Sequence, residues 1–288
     1  MNKVIDILRY TKRRFLTQGF AKTVYLFLKE IEKENKTPHH LDGKYLVNLS
    51  FDFELGFGTT FWEENIEKAL SYGETARLNF VPIMKFLEQE KISANVQIVG
   101  ALLNEHPDTL SIFNLRQREA MRERRHLFKL TAEDIQLLRS HNIEAGIHGF
   151  SHRHFTNISA QDAEYEMQNA VENFKRVFER IPEFMAFPKN EIAHTDILKK
   201  HGIKCWRANS EHPKDESEIP LGHWFAPGVL DPHDLQKLLS VIWSFRKGYL
   251  LHLWGHFTEM DVDTFKELVG VIKNAGWKFT NVKDYKKY

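Results

Sequence analysis

The sequence predicts an α/β protein in which a parallel sheet is connected by crossover helices. Two observations lead to this prediction. From residue 45 onward, short apolar runs alternate with amphipathic helical patterns, as in chains that build a sheet from strand–helix–strand units. Polar side chains able to perform chemistry follow directly after several of the apolar runs. The length of 288 residues suits one such domain, with ordinary hydrophobic (42%) and charged (27%) fractions.

The first 44 residues are expected to form a basic amphipathic helical extension, separate from the domain at residues 45–288. Apolar residues recur at three- and four-residue steps over residues 1–36, and a polar linker, TPHHLDG, follows. The first thirty residues hold seven basic and two acidic side chains. Such a segment can lie on an anionic membrane surface, but a helix packed on the domain with a solvated basic face is favoured.

The remaining elements are predicted from hydrophobic periodicity and from turn residues. One helix is expected to begin next to Pro82, because proline is favoured in the first turn of a helix. In parallel α/β folds the active site lies at the carboxyl ends of the strands. We expect strands at 45–51, 93–99, 144–148, 183–187, 204–208, 248–254 and 277–280, and helices at 81–90, 132–140, 160–180, 196–201 and 264–275.

Composition excludes several classes of site and partner. A net charge of +1 gives no basic footprint for nucleic acid. Cys205 is the single cysteine, so the chain forms no internal disulfide, and any metal site must use histidine, aspartate or glutamate. No apolar run reaches the ~18 residues of a membrane span, and the first residues do not resemble a secretory signal. A cytoplasmic location is therefore expected.

Four polar clusters are expected at the ends of four predicted strands. A His pair four residues apart proves little alone, since the sequence holds two of them, 148/152 and 252/256. The placement after strands carries more weight, because parallel strands end at one rim. The clusters are Asp52-Phe53-Glu54, His148 to His152, Pro188-Lys189-Asn190 and Gly255-His256.

These segments resemble the polysaccharide deacetylase family, the group of the NodB homology domain and carbohydrate esterase family 4. SFDFELG (50–56) is similar to the family's first motif and EAGIHGFSHRHF (144–155) to its second. VQIVG (96–100) resembles the strand between them, and GYLLHLWGHF (248–257) the late strand that bears a histidine. The resemblance covers about residues 45–288. It implies an irregular (β/α)7-type barrel, a distorted TIM barrel of the NodB kind.

The resemblance also implies roles for individual residues. Glu54, His148 and His152 would hold a divalent metal, Asp52 would be the general base and His256 the general acid. Two imidazoles and one carboxylate suit zinc, and cobalt, nickel and iron are also compatible. Five further residues are expected to support the base or to bind the substrate: Pro188, Lys189, Asn190, Trp224 and His252. Of these, Trp224 would line an acetyl pocket. His252 is also the rival of His256 for the role of the acid.

The chain departs from the family pattern in two places. The usual first motif has adjacent aspartates, whereas Phe53 separates Asp52 from Glu54; residues two apart on a strand share a face, so either carboxylate could be the metal ligand. The third motif usually carries an arginine, but Met185 stands where we would look for it. Lys189 is the nearest cation in sequence, and lysine does not form a bidentate fork.

The expected function is that of a metal-dependent hydrolase that removes N-acetyl or O-acetyl groups from a sugar or glycan precursor. Two alternatives stay open. The altered first motif is compatible with a metal-independent hydrolase of C–N bonds in cyclic amides, and the missing arginine with a glycan-binding barrel that has lost its activity. The deacetylase and the glycan-binding barrel would both have a carbohydrate as partner. Peripheral membrane contact through the N-terminal helix is a further possibility that the sequence leaves open.

Overall fold

A computed structural model describes residues 46–209, 216–219, 223–224, 251–259, 261–274 and 277–285. The predicted N-terminal helical extension lies outside these residues. The strands are β1 (Leu46–Phe53), β2 (Ala94–Ile98), β3 (Ile143–Ile147), β4 (Phe184–Met185), β5 (Cys205–Arg207), β6 (Glu218–Ile219), β7 (His223–Trp224), β8 (Leu251–His256) and β9 (Lys278–Phe279). The helices are α1 (Thr59–Trp62), α2 (Ile66–Gln89), α3 (Leu115–Glu123), α4 (Ala132–Leu138), α5 (Ala160–Phe178), α6 (Thr195–Lys200), α7 (Val262–Asn274) and α8 (Val282–Tyr285).

All nine strands of the described residues belong to one sheet, and each pairing between them is parallel. The strand order is β6-β5-β4-β3-β2-β1-β8-β7, and β9 pairs with the start of β1. The sheet curls into a partial barrel with helices packed outside it. This arrangement confirms the predicted irregular (β/α) barrel.

Strand β1 lies inside the sheet, between β2 and β8, and has two chemically different faces. Asn48, Ser50 and Asp52 point to one face, and the alternate residues, Phe51 and Phe53 among them, to the other. The phenylalanines pack under the helices; the Phe53 ring, for example, stacks on Phe80 of α2 at 4.1 Å between centroids.

The polar face of β1 forms side-chain hydrogen bonds with the neighbouring strand β2. Asn48 Nδ2 donates to Asn95 Oδ1 at 2.7 Å, and Ser50 Oγ donates to Gln97 Oε1 at 2.8 Å. All four side chains are buried. Because a buried polar group is costly without a partner, these bonds stabilise a polar barrel interior, with Asp52 at its upper end.

Most predicted strands and helices are present, with ends that differ by a few residues. The helix predicted at 81–90 begins too late, because α2 starts at Ile66 and contains Pro82 in its interior. Proline there removes the hydrogen bond to the carbonyl of residue 78. Leu78 is 74% exposed, so water can satisfy that carbonyl. The short polar helix α3 was not predicted; its start is fixed by a reciprocal capping box between Asn114 and Gln117.

No helix among the described residues is long and apolar enough to cross a membrane. Residues 248–250 of the predicted late strand lie outside the described residues, which resume at Leu251.

Helix α2 approaches the chain that follows β1 unusually closely. A Cβ atom built on Gly73 would lie 3.2 Å from the backbone nitrogen of Gly56 and 3.3 Å from the carbonyl carbon of Leu55. Both neighbours are backbone atoms, which cannot rotate away as a side chain can. Gly73 therefore sets the distance between α2 and the segment that carries Glu54.

We expect Gly73→Val to lower the free energy of unfolding by about 1–3 kcal/mol, the usual cost of forcing extra atoms into a packed contact. Gly270→Val is the matched control, because a Cβ at that position in α7 meets nothing within 4 Å. The control should change stability by less than about 0.5 kcal/mol. Denaturant unfolding of both variants makes the comparison, and equal losses would contradict the close approach at Gly73.

Candidate active site

The carboxyl ends of β1, β3 and β8 bring one carboxylate and three imidazoles together. Glu54 Oε1 lies 3.2 Å from His148 Nε2, 2.8 Å from His152 Nε2 and 3.3 Å from His256 Nε2. Asp52 Oδ2 is 4.0 Å from His148 Nε2. The five residues that the sequence analysis assigned to metal binding and acid–base chemistry thus lie in one cluster.

The donor set formed by Glu54, His148 and His152 fits a divalent metal. Each offers one ligand atom, and the three atoms lie within 4.8 Å of one another. His148 Nδ1 donates to the carbonyl of Ala186 at 2.8 Å, which orients Nε2 towards the other two. The buried Nδ1 of His152 makes no hydrogen bond within the described part of the chain, and Nε2 lies 2.8 Å from Glu54 Oε1. A metal beside this carboxylate oxygen would be a partner for Nε2.

The electrostatics of this set also suit a metal. Burial opposes ionisation of Glu54, but the charges of His152 and His256 hold its pKa well below the usual value. Burial lowers the pKa of His152, despite the nearby Glu54 carboxylate. An ionised carboxylate beside a neutral imidazole is the protonation state that metal ligands adopt.

The loop between His148 and His152 has an unusual backbone that its surroundings hold in place. Gly149 has φ +69° and His152 has φ +67°, the left-handed region that non-glycine residues rarely adopt. Gly100 N donates to the carbonyl of Gly149 at 2.9 Å, and Trp62 Nε1 donates to the carbonyl of Ser151 at 2.6 Å. These bonds stabilise the turn that directs the second imidazole back to the site.

A buried glutamate on α5 binds the same loop from beneath. Glu166 Oε2 accepts from Phe150 N at 3.0 Å and Ser151 N at 2.9 Å, and Oε1 accepts from Ser151 Oγ at 2.5 Å. Burial raises the pKa of Glu166, and these hydrogen bonds oppose the rise only in part. Glu166 was not singled out from the sequence, although an acidic residue on the apolar face of the predicted helix at 160–180 was a usable signal.

We expect Glu166→Gln to weaken metal binding about 10–100-fold, the usual effect of removing a group that orients a metal ligand. The amide of glutamine cannot accept hydrogen bonds at both of the positions used here. Glu172→Gln is the control, because Glu172 is exposed on the same helix. Competition with a chromophoric chelator measures the affinity. Equal affinities in both variants would mean that Glu166 does not determine the position of the histidines.

Asp52 forms a buried ion pair with Arg207, at the end of β5. Arg207 Nη1 donates to Asp52 Oδ1 at 3.0 Å, Nη2 donates to Oδ2, and Nε donates to Asn190 Oδ1 at 2.7 Å. The guanidinium carbon lies 4.5 Å from the centroid of the Trp254 ring. Burial of Asp52 opposes ionisation, but the charge of Arg207 holds the pKa of Asp52 below its ordinary value. Asp52 is therefore ionised at neutral pH.

The cation beside Asp52 is Arg207 and not Lys189, the candidate that the sequence analysis named. Lys189 was the nearest cation in sequence, but its Nζ lies 3.9 Å from Glu63 Oε1, and its side chain is partly exposed. Met185 pairs with Trp206 across β4 and β5, so the arginine comes from the next strand and one residue further along it. Arg207 follows the same rule as the other site residues, a polar side chain at a predicted strand end, and that signal could have identified it.

His256 is oriented by a carboxylate three residues further on. Its Nδ1 lies 2.6 Å from Glu259 Oε1, and its backbone N–H donates to Glu259 Oε2. Burial opposes protonation, but the carboxylates of Glu54 and Glu259 raise the pKa of His256 well above the usual value. His252, the rival acid, is buried beside Asn48, further down β8, and only His256 of the two lines the cavity.

The cluster opens into a cavity of about 540 Å³ whose lining includes Lys189 and Asn190. Pro188 is buried and begins a single helical turn after β4. The backbone of Trp224 pairs with Trp254 between β7 and β8, but its side chain lies outside the described part of the structure, so its role at an acetyl pocket stays a prediction.

Comparison with known proteins gives a family match and a fold match. The polysaccharide deacetylase family model matches residues 69–206, which confirms the resemblance read from the sequence. This segment contains His148 and His152 and begins after Asp52 and Glu54. No curated protein matches the chain.

Solved structures are similar to the chain at low sequence identity. A putative polysaccharide deacetylase from Mycobacterium smegmatis is 13% identical over 87% of this chain and 92% of that chain, with a TM-score of 0.55. A family 4 carbohydrate esterase from Streptomyces lividans, solved with acetate, is 12% identical over 83% of this chain and 93% of that chain, with a TM-score of 0.48. The first of these supports the barrel fold described above.

Proposed function

We propose that this chain, whose residues 69–206 match the polysaccharide deacetylase family model, is a metal-dependent hydrolase that removes acetyl groups from an N-acetylated sugar or glycan precursor. O-acetylated sugars are a second substrate type for the same chemistry. The observation that carries the proposal is the Glu54 carboxylate oxygen with three imidazole nitrogens within 3.3 Å of it, beside the ionised Asp52.

Hydrolysis of an acetamide needs an activated water, a stabilised oxyanion and a protonated leaving amine. A divalent metal held by Glu54, His148 and His152 would polarise the acetyl carbonyl and lower the pKa of a water molecule. We propose zinc, with cobalt, nickel and iron also compatible with this donor set. With these three ligands, Asp52 is not needed to bind the metal. Each of its oxygens accepts a hydrogen bond from Arg207, and the remaining lone pairs of the carboxylate can accept a proton.

Asp52 and His256 have the opposite protonation states that acid–base catalysis requires. Asp52, ionised through Arg207, accepts the proton of the attacking water. His256, with its pKa raised, is protonated, and since Nδ1 is held by Glu259, the proton on Nε2 is the one available to the departing nitrogen. Breaking the C–N bond then gives acetate and a free amino sugar. Asp52 as base and His256 as acid remain part of the proposal.

The test is acetate release from N-acetylglucosamine oligosaccharides by zinc-loaded protein, before and after strong chelation. Chelation should abolish the release and added zinc should restore it. Release that survives complete chelation would instead favour a metal-independent C–N hydrolase. Binding of the oligosaccharide without acetate under zinc, cobalt, nickel or iron would favour a glycan-binding barrel.

The missing arginine of the third motif was the reason to consider a glycan-binding barrel without activity, and the structure removes this reason. The arginine missing from the third motif is replaced in space by Arg207, which forms the bidentate contact that Lys189 could not. We therefore favour the hydrolase over the binding barrel. A cytoplasmic location, and membrane contact through residues 1–36, remain proposals that rest on the sequence.

A further inference from the structure

Asn190 lies in the turn that follows β4, and this turn has an unusual backbone. Lys189 and Asn190 both have φ +55°, the left-handed region that non-glycine residues rarely adopt, although asparagine tolerates it better than most. The turn begins at the buried Pro188, and Asn190 N closes it by donating to the carbonyl of Phe187 at 2.9 Å. Asn190 is half-buried and lines the cavity together with Asp52. The turn therefore directs the Asn190 side chain to the cavity.

The contact with Arg207 fixes the orientation of the Asn190 amide. Arg207 Nε carries a hydrogen and donates at 2.7 Å, so the amide atom that it meets is the oxygen, Oδ1. Nδ2 is bonded to the same carbon and therefore points away from the guanidinium. Within the part of the chain that the structure describes, Nδ2 makes no hydrogen bond. Asn190 thus presents to the cavity an oriented N–H donor that has no protein partner.

The same guanidinium also holds Asp52, the proposed base. The two terminal nitrogens of Arg207 donate to the two carboxylate oxygens of Asp52, while Nε donates to Asn190. A guanidinium is planar and rigid, so the amide and the carboxylate keep a fixed position relative to each other. The water that gives its proton to Asp52 attacks the acetyl carbon. The acetyl group must therefore lie close to both of these side chains.

The other polar side chains of the cluster around Glu54 have different tasks. The carboxylates of Asp52, Glu54 and Glu259 accept hydrogen bonds and would repel a developing negative charge. The imidazole of His256 is held by Glu259 and directs its other nitrogen towards Glu54. The Asn190 amide is neutral, donates a hydrogen bond and is oriented before a substrate arrives. These are the properties of a group that stabilises an oxyanion.

We propose that Asn190 Nδ2 donates a hydrogen bond to the acetyl oxygen as negative charge develops on it, which makes Asn190 a further catalytic residue. This inference rests on the proposed deacetylase function. When the water oxygen bonds to the acetyl carbon, the second electron pair of the carbonyl bond moves to the acetyl oxygen, and the proton of the water goes to Asp52. The hydrogen bond from Asn190 strengthens at this stage, and no proton leaves the amide. Breaking the C–N bond restores the carbonyl of acetate.

The test uses two substitutions in zinc-loaded protein that acts on the tetrasaccharide of N-acetylglucosamine. Asn190→Asp keeps an oxygen for Arg207 but removes the N–H donor, and Asn190→Ala removes the donor without adding a charge. We expect kcat to fall about 10²–10³-fold in both variants, with KM changed less than about threefold, because this hydrogen bond acts mainly in the transition state. Asn157→Asp is the matched control, since Asn157 is exposed and does not line the cavity.

Binding of a methylphosphonamidate analogue of the tetrahedral intermediate gives a readout that does not depend on turnover. We expect its dissociation constant, measured by calorimetry, to rise about 10²-fold in Asn190→Ala and to stay unchanged in Asn157→Asp. Full kcat in Asn190→Asp would overturn the donor role, because the loss in Asn190→Ala would then come from Arg207. An increase of KM alone would overturn it as well.

The same two measurements separate this inference from the proposed function. Wild-type protein that releases no acetate would overturn the deacetylase. Analogue binding that depends on Asn190 in that protein would still support the donor role. Acetate release that does not depend on Asn190 would overturn the donor role and leave the deacetylase. A wild-type protein that neither releases acetate nor binds the analogue would overturn both.

Discussion

Replacing Arg207 with methionine should lower the free energy of unfolding by about 3–5 kcal/mol, the range for removing one partner of a buried ion pair. Arg207 is fully buried and Asp52 nearly so. The substitution leaves the Asp52 carboxylate without its cation in the barrel interior, and methionine fills much of the volume. Denaturant unfolding at neutral pH measures the loss, and a loss under about 1 kcal/mol would contradict the pairing seen here.

A second variant separates the effect of the unpaired Asp52 charge from the effect of lost packing around Arg207. Asp52→Asn combined with Arg207→Met removes both charges, and we expect this double variant to be more stable than Arg207→Met alone, because no unpaired charge remains. If the two are equally unstable, lost packing against Trp254 and Asn190 explains the effect instead. Circular dichroism of each variant shows whether the fold persists.

The dependence on pH follows from the direction of the Asp52 shift. Its pKa is depressed in the folded protein, so the pair contributes stability above the unfolded pKa of an aspartate, and this contribution is lost as pH falls through the folded pKa. In Arg207→Met the pKa of Asp52 should rise. The acidic limb of the pH–rate profile should therefore move to higher pH, a readout that lost packing alone would not change.

The second large effect is expected at the histidine pair. His148→Ala and His152→Ala should each abolish near-stoichiometric metal binding and reduce acetate release by about 10³-fold or more, because metal polarisation of a carbonyl is worth several kcal/mol. Elemental analysis after purification without chelator measures the metal. His141→Ala is the control, since His141 is exposed just before β3. Wild-type protein that stays metal-free after incubation with zinc or cobalt would contradict the mechanism.

Much of the fold and part of the site follow from local sequence patterns. Apolar runs that end in polar clusters located β1, β3 and β8. They also located the five residues of the cluster that contains Glu54, because strand periodicity and the direction of parallel strands are both local properties. The spacing Asp52-Phe53-Glu54 predicted a shared strand face. Both carboxylates lie in the cluster, but Glu54 follows the end of β1 and begins the next turn.

What the sequence did not predict depends on contacts between distant parts of the chain. Arg207 reaches Asp52 across 155 positions, and nothing near either residue specifies the partner. Glu166 likewise binds a loop that only the packing of α5 brings close. The start of α2 was misplaced because Pro82 is a strong local signal, and the apolar stripe that continues on both sides of it outweighs that signal.

The two-faced character of β1 constrains how this protein can vary. A slip or insertion of one residue in the strand would turn Phe51 and Phe53 into the polar interior and direct Asp52 into the aromatic layer. In the polar interior, the amide side chains of β2 would lose their hydrogen-bond partners. In the aromatic layer, the Asp52 carboxylate would be buried without a cation. Length changes in β1 are therefore tolerable only in steps of two.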